Sequence, residues 1–157
     1  MGDITQFLQE SNWIENEFSS KALEQSLQAW GWMIGQSEIT SFNLRQAHQL
    51  LMEGLLSPIE AGGFRTVHVR VGNRMCPAPD LVPSLVEDWI SVHSGAKTEE
   101  EIKQAHIAFE HVHPFIDGNG RVGRILMNWQ RVKNNLPILI IHTGYEQRSY
   151  YQWFREN

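Results

Sequence analysis

Cysteine is nearly absent from this chain of 157 residues, Cys76 being the only one. No disulfide can form within it, so the stapled framework of small secreted domains is excluded. Long apolar runs are missing as well: no stretch approaches the ~20 residues that span a bilayer, and no membrane association is expected. The opening residues carry Asp3 and Glu10 and lack a basic segment followed by an apolar one, so no secretory leader is expected either, and the reading is a cytoplasmic protein. Basic charge is scarce, with 13 Lys and Arg against 18 Asp and Glu and a net charge of -5. That balance argues against a nucleic-acid partner.

What is present suits one folded domain over residues 1–157. The composition is 41% hydrophobic and 20% charged, too apolar for disorder, and the length allows burial of roughly two thirds of the unfolded surface. No repeat, low-complexity tract or linker interrupts it. The charge is unevenly laid out. Residues 1 to 60 hold two basic and eight acidic side chains, whereas 113 to 157 hold six basic and three acidic. The last third is thus suited to face an anion, and the acidic first third to oppose it.

Helical periodicity dominates. Leu23, Leu27, Trp30 and Ile34 share a face, as do Leu44, Ala47, Leu51 and Leu55, then Leu81, Leu85, Trp89 and Val92, and Ile102, Ala105, Phe109 and Val112 behind Thr98 and Glu101 at capping-box spacing. A helix is expected from about Gly120 to Lys133, and a last one from Thr143 to Phe154. Ile138 to Ile141 is too short to classify. Trp30, Trp32 and Trp89 suit either core or an oligomer surface. From Phe64 to Val71 the period changes to two, with Val67, Val69 and Val71 alternating against Thr66, His68 and Arg70 before the turn pair Gly72-Asn73. This predicts a small β-hairpin, within 62–78, in a mainly α protein.

The densest chemistry is His113-Pro114-Phe115-Ile116-Asp117-Gly118-Asn119-Gly120-Arg121-Val122-Gly123-Arg124. Pro114 disfavours helical geometry at His113, and Gly118 and Gly120 permit a tight turn into the next helix. Such a loop offers backbone N–H groups at a helix N-terminus, where unpaired donors and the helix dipole favour phosphate. Arg121 and Arg124 lie on neighbouring turns, both able to reach an anion. Asp117 supplies a hard oxygen of the kind that holds magnesium, and His113 is the side chain suited to take a proton near neutral pH. Gly118-x-Gly120-x-x-Gly123 formally matches a dinucleotide fingerprint, but a helical pattern rather than a strand precedes it. The Lys and Ser/Thr of a P-loop are missing. His111, His113 and Asp117 could form a transition-metal cluster, although no further ligand is evident. Capping roles for His113 and Asp117 beside a solvated arginine face are the non-functional alternative.

The segment resembles the signature of the Fic family, His-x-Phe-x-Asp/Glu-Gly-Asn-Gly-Arg-x-x-Arg, which His113, Phe115, Asp117, Gly118, Asn119, Gly120, Arg121 and Arg124 meet at every specified position. Gly63-Phe64-Arg65-Thr66 and the alternating valines resemble the family's flap, and His106, Phe109 and Glu110 resemble the helix ahead of the signature. The resemblance implies a Fic-like helical bundle and a protein adenylyltransferase that moves AMP from ATP to a Ser, Thr or Tyr hydroxyl of a target protein. In that reading His113 is the general base and Asp117 holds Mg2+. Gly118, Asn119 and Gly120 form an anion hole, and Arg121 and Arg124 bind the outer phosphates. Phe115 is a buried anchor. Thr66, Val67, His68 and Val69 either dock an extended target segment or simply cover the core.

Within residues 1–20, Ser11-Asn12-Trp13-Ile14-Glu15-Asn16 resembles the family's inhibitory motif, Ser/Thr-x-x-x-Glu-Gly/Asn. The resemblance implies that Glu15 pairs with Arg124 and denies it to the γ-phosphate, with Ser11 and Asn16 completing the motif. Other outcomes stay open: a different nucleotide donor, removal of AMP, or a silenced nucleotide-binding or toxin module.

Overall fold

The computed structural model describes residues 2–155. Among them run seven α-helices: α1 (Gly2–Ile14), α2 (Ser20–Ile34), α3 (Ser41–Met52), α4 (Val82–His93), α5 (Glu99–Val112), α6 (Asn119–Lys133) and α7 (Tyr145–Gln152). Local chemistry sets several of their starts. Ser19 and Thr40 are extended and accept from the N–H groups of Ala22 and Asn43, and Thr98 and Glu101 close the expected capping box.

The helix α6 is the axis of the fold. Its residues are buried almost all round from Asn119 to Arg131, which a helix tolerates only when neighbours cover every face. α5, α3, α2 and α1 supply that cover. The main core joins Phe7, Met33, Leu44, Leu51, Phe109, Phe115, Val122, Ile125 and Trp129, and a smaller cluster joins Ile14, Ile102, Met127, Ile141 and Tyr150. Of the two readings of the tryptophans, core holds. Trp30 and Trp89 are in the main cluster, Trp32 packs against it, and the Trp89 indole donates to the Ala105 carbonyl at 2.8 Å. No helix among the described residues is long and apolar enough to cross a membrane.

Two elements differ from expectation. The hairpin is shorter, with β1 (Arg70–Val71) pairing antiparallel to β2 (Arg74–Met75). The Arg65 guanidinium takes the carbonyls of Val67 at 3.0 Å and Pro77 at 2.7 Å, filling the space between the two arms where a longer ladder would run. Thr66, Val67 and His68 are therefore exposed and irregular, and Val69 is half-buried. The last helix begins at Tyr145, and Trp153 and Phe154 fall in the turn beyond it. Ile138 to Ile141 is neither helix nor strand. The Asn128 side chain holds this segment, bonding the Leu139 N–H and carbonyl at 2.8 and 3.1 Å.

Candidate active site

α5 stops at Val112, and His113 turns the chain with φ 50 and ψ 62. This left-handed geometry is uncommon for a residue with a side chain. The loop then closes on itself: the Asn119 amide accepts from Phe115 N–H at 2.9 Å and donates to the Phe115 carbonyl at 2.8 Å. The Phe115 ring, with no exposure, stacks on His48 at 3.7 Å between centroids and 6° between planes. His48 Nδ1 accepts from Gly62 N–H at 2.9 Å, which fixes the tautomer, so Nε2 donates to the Asp117 carbonyl at 2.8 Å. Burial pushes the His48 imidazole down to about 4, so it stays neutral. Gly118 enters α6 at φ 85, and a Cβ there would press on Met52 and His48. Backbone and space both require glycine.

A cavity of about 910 Å³ opens above this loop, lined by Glu15, Arg74, Glu110, His113, Asp117, Gly118, Asn119, Gly120, Arg124, Tyr150, Tyr151 and Phe154, among others. Burial first, then the cations of Arg65 and Arg74, hold the His113 imidazole below its ordinary value, with the Glu110 carbonyl partly opposing them. A neutral imidazole that can accept a proton results. Asp117 accepts from Gly118 N–H at 2.7 Å. In the first turn of α6 the N–H of Val122 is the first to find an intrahelical carbonyl, that of Gly118 at 3.0 Å. Those of Gly120 and Arg121 point out from the positive end of the helix dipole.

Two expected donors are already engaged. The N–H of Gly118 goes to Asp117, and both ends of the Asn119 amide go to Phe115, so Asn119 shapes the loop from below. Arg121, 6% exposed, is not part of the cavity lining. It meets Met52 Sδ at 3.4 Å, while its Nε and Nη1 find no acceptor among the described residues.

Arg124 is 2% exposed and each of its nitrogens is bonded. Nε donates to Ser11 Oγ at 2.7 Å, Nη1 to Tyr150 Oη at 3.2 Å, and Nη2 to the Ser11 carbonyl at 3.1 Å and to Glu15 Oε2 at 2.6 Å. Asn16 explains how Glu15 arrives there. It sits at φ 59, and the bonds Asn16 N–H to Trp13 carbonyl and Glu17 N–H to Asn12 carbonyl, at 3.0 and 2.9 Å, form a Schellman ending of α1. Only glycine or asparagine enters that conformation readily, which is the physical content of the last position of the Ser-x-x-x-Glu-Gly/Asn pattern. The carboxylate also approaches Gly120 so closely that a Cβ there would collide with it. A glutamate at a helix C-terminus opposes the dipole by about 0.3–1 kcal/mol, so the Arg124 pair rather than α1 accounts for its placement.

The sequence model of the Fic/DOC family matches residues 38–130. The chain belongs to the Fic/DOC family. A protein adenylyltransferase Fic of Drosophila willistoni is 35% identical over 127 residues, covering 78% of this chain and 25% of that protein. Its counterpart in Drosophila erecta is 37% identical over the same length, with 78% and 25% covered. The chain thus spans about a quarter of the length of these curated relatives. A Fic family protein from Desulfovibrio desulfuricans superposes with a TM-score of 0.74 at 24% identity, covering 98% of this chain and 54% of that one. A Fic domain containing signaling protein from Bacteroides thetaiotaomicron gives 0.76 at 16%, with 96% and 69% covered. These two likenesses concern the fold.

Within this Fic/DOC fold, His113, Asp117, the α6 N-terminus and Arg124 meet at one cavity, and Ser11 and Glu15 join them across it. His111, His113 and Asp117 do not gather into a metal cluster among the described residues. Thr66, Val67, His68 and Val69 stand away from the cavity, and the hairpin tip, Val71 to Arg74, lines it instead. Tyr150 and His48 were not singled out from sequence. Tyr150 reads as one more aromatic in a helix, and His48 as a polar interruption of α3; only their contacts with Arg124 and Asp117 reveal them.

Proposed function

We propose that this Fic/DOC chain is a protein adenylyltransferase whose nucleotide site is closed in the present conformation by Glu15. The observation that carries the reading is the full engagement of Arg124, the buried cation of the cavity, by Ser11, Tyr150 and Glu15. A guanidinium so engaged cannot form the forked contact that a phosphate requires.

With Glu15 withdrawn, Arg124 receives the terminal phosphate of ATP. The free N–H groups of Gly120 and Arg121 stabilise charge on the transferring phosphoryl group, and the buried Arg121 guanidinium adds positive charge behind them. His113 takes the proton of the incoming Ser, Thr or Tyr hydroxyl of the target. The hydroxyl oxygen forms a bond to the α-phosphorus as the bond to pyrophosphate breaks, so the products are the AMP ester and pyrophosphate. The donor set fits magnesium: of the three carboxylates lining the cavity, Glu15 is paired to Arg124 and Asp117 is the one in the phosphate loop, and the described residues form no larger ligand cluster, which suits an ion that keeps its waters and binds mainly to phosphates. Held there, it would neutralise charge on the phosphates. In the exposed arm from Thr66 to Val69 the carbonyls of Val67 and Val69 are taken by Arg65 and Cys76, and the remaining backbone groups are open to an extended target segment, which would set the hydroxyl in line with phosphorus.

The test is to incubate Glu15→Gly protein with candidate targets and ATP labelled separately at the α and γ positions. Retention of only the α label is expected. Retention of the γ label would mean kinase chemistry, and a preference for UTP or another donor would change the nucleotide.

A further inference from the structure

Arg65 has no part in the phosphate site, yet it is 4% exposed and carries the densest set of backbone contacts near His113. Its Nε donates to the His113 carbonyl at 2.6 Å, and Nη2 donates to Pro77 at 2.7 Å and Val112 at 3.3 Å. Nη1 donates to Val67 at 3.0 Å, and the Arg65 N–H donates to the Pro114 carbonyl at 2.9 Å. One guanidinium therefore joins the end of α5, the first peptide of the loop and both arms of the hairpin. The His113 carbonyl belongs to the peptide whose orientation sets ψ of His113, a residue held at φ 50 and ψ 62. A histidine keeps that conformation only where its surroundings fix it.

We propose that Arg65 is a positioning residue that locks His113 in its left-handed conformation and makes the hairpin root and the catalytic loop one rigid unit. The inference rests on His113 being the base. A guanidinium is suited to the task because it is a planar fork with five donors, whereas an ammonium offers a point charge on a flexible stem. Other charged groups facing His113 are Arg74 on the hairpin and Asp117 in the loop. Loss of the Arg65 cation removes one of the two cations that keep the imidazole from taking a proton.

Arg65→Met and Arg65→Lys are to be compared in the Glu15→Gly background. Misplacement of a reacting group by about 1 Å costs up to ~100-fold, so both variants are expected to lose kcat by about ten- to a hundredfold with ATP affinity unchanged. In Arg65→Met the acidic limb of kcat/KM and the NMR titration of the His113 imidazole, assigned by its absence in His113→Asn, should both move to higher pH. In Arg65→Lys, which keeps the charge, they should stay. A lower Tm alone, with kcat per folded molecule and the His113 titration as in the parent, overturns the proposal. Should Glu15→Gly protein transfer no nucleotide, the functional reading fails instead. The NMR comparison then still decides whether Arg65 controls His113.

Discussion

The α1 wall of the cavity and its hairpin wall spend their polar groups differently. On the α1 side each donor has an acceptor: Arg124 is held by Ser11, Glu15 and Tyr150, and a Schellman turn at Asn16 fixes the approach. On the hairpin side two short strands carry exposed residues only, one further bond joins Cys76 N–H to the Val69 carbonyl, and Thr66 to His68 has left the ladder. The first wall is complete without any ligand, so a ligand must displace part of it. The second is incomplete, so a ligand adds to it. Self-sufficient contacts suit a closed state, and unused backbone suits a docking edge.

Chemistry common to both walls gives the largest effect. His113→Ala in the Glu15→Gly background should abolish AMP transfer, a loss of about 10²–10⁴-fold or more for a general base, measured with α-labelled ATP; substantial residual transfer would place the base elsewhere. Breaking the α1 wall comes next. Glu15→Gly alone should raise transfer by about ten- to a hundredfold, as expected when a charge-assisted contact of about 1.5–3 kcal/mol is removed from the closed state; unchanged activity would mean that Arg124 is not the point of control. Breaking the hairpin wall should do less and act selectively. Val69→Pro removes a backbone donor and should lower target modification severalfold while leaving ATP binding, read by calorimetry, unchanged, whereas equal loss of both would make the hairpin a structural cover.

The smallest effect concerns Glu110, which lies between the walls and faces the Arg124–Glu15 pair. Burial raises its carboxyl from the ordinary 4.5 to about 7, against the pull of Arg124. Because the folded value lies above the unfolded one, its contribution to stability is complete below about 4.5 and is lost as pH rises through about 7. Glu110→Gln, neutral at all pH, should therefore raise Tm by about 5 °C at pH 8 and hardly at all near pH 4.5. A constant difference across that range would mean that the carboxyl does not titrate there.

Much of this molecule was legible because its signals are local. The capping box at Thr98 and Glu101, the stop of α5 at His113 and the start of α6 after Gly118 depend on residues within a turn of one another, and α4 to α7 appear within a residue or two of expectation, whereas α3 stops at Met52, short of Leu55. The hairpin was overestimated for the opposite reason. Alternating valines report β propensity, but the carbonyls of Val67 and Pro77 are claimed by Arg65, and a claim from a side chain is invisible to periodicity. The resemblance places Gly118 and Asn119 in an anion hole; that the Gly118 N–H meets Asp117 and one N–H of the Asn119 amide meets Phe115 depends on how the loop folds back, which residue order alone does not show.

The sequence alone determined a helical Fic/DOC fold, a phosphate-suited loop from His113 to Arg124 and an acidic segment able to oppose it, since each is written in contiguous residues whose geometry follows from backbone sterics and helix spacing. Tertiary structure decided which groups meet. Glu15 and Arg124 stand 109 positions apart, Arg65 and His113 stand 48 apart, and Tyr150 reaches Arg124 across 26. The packing of α1, α7 and the hairpin around α6 closes those distances, and burial then turns ordinary side chains into a paired cation, a neutral base and a carboxyl raised to about 7.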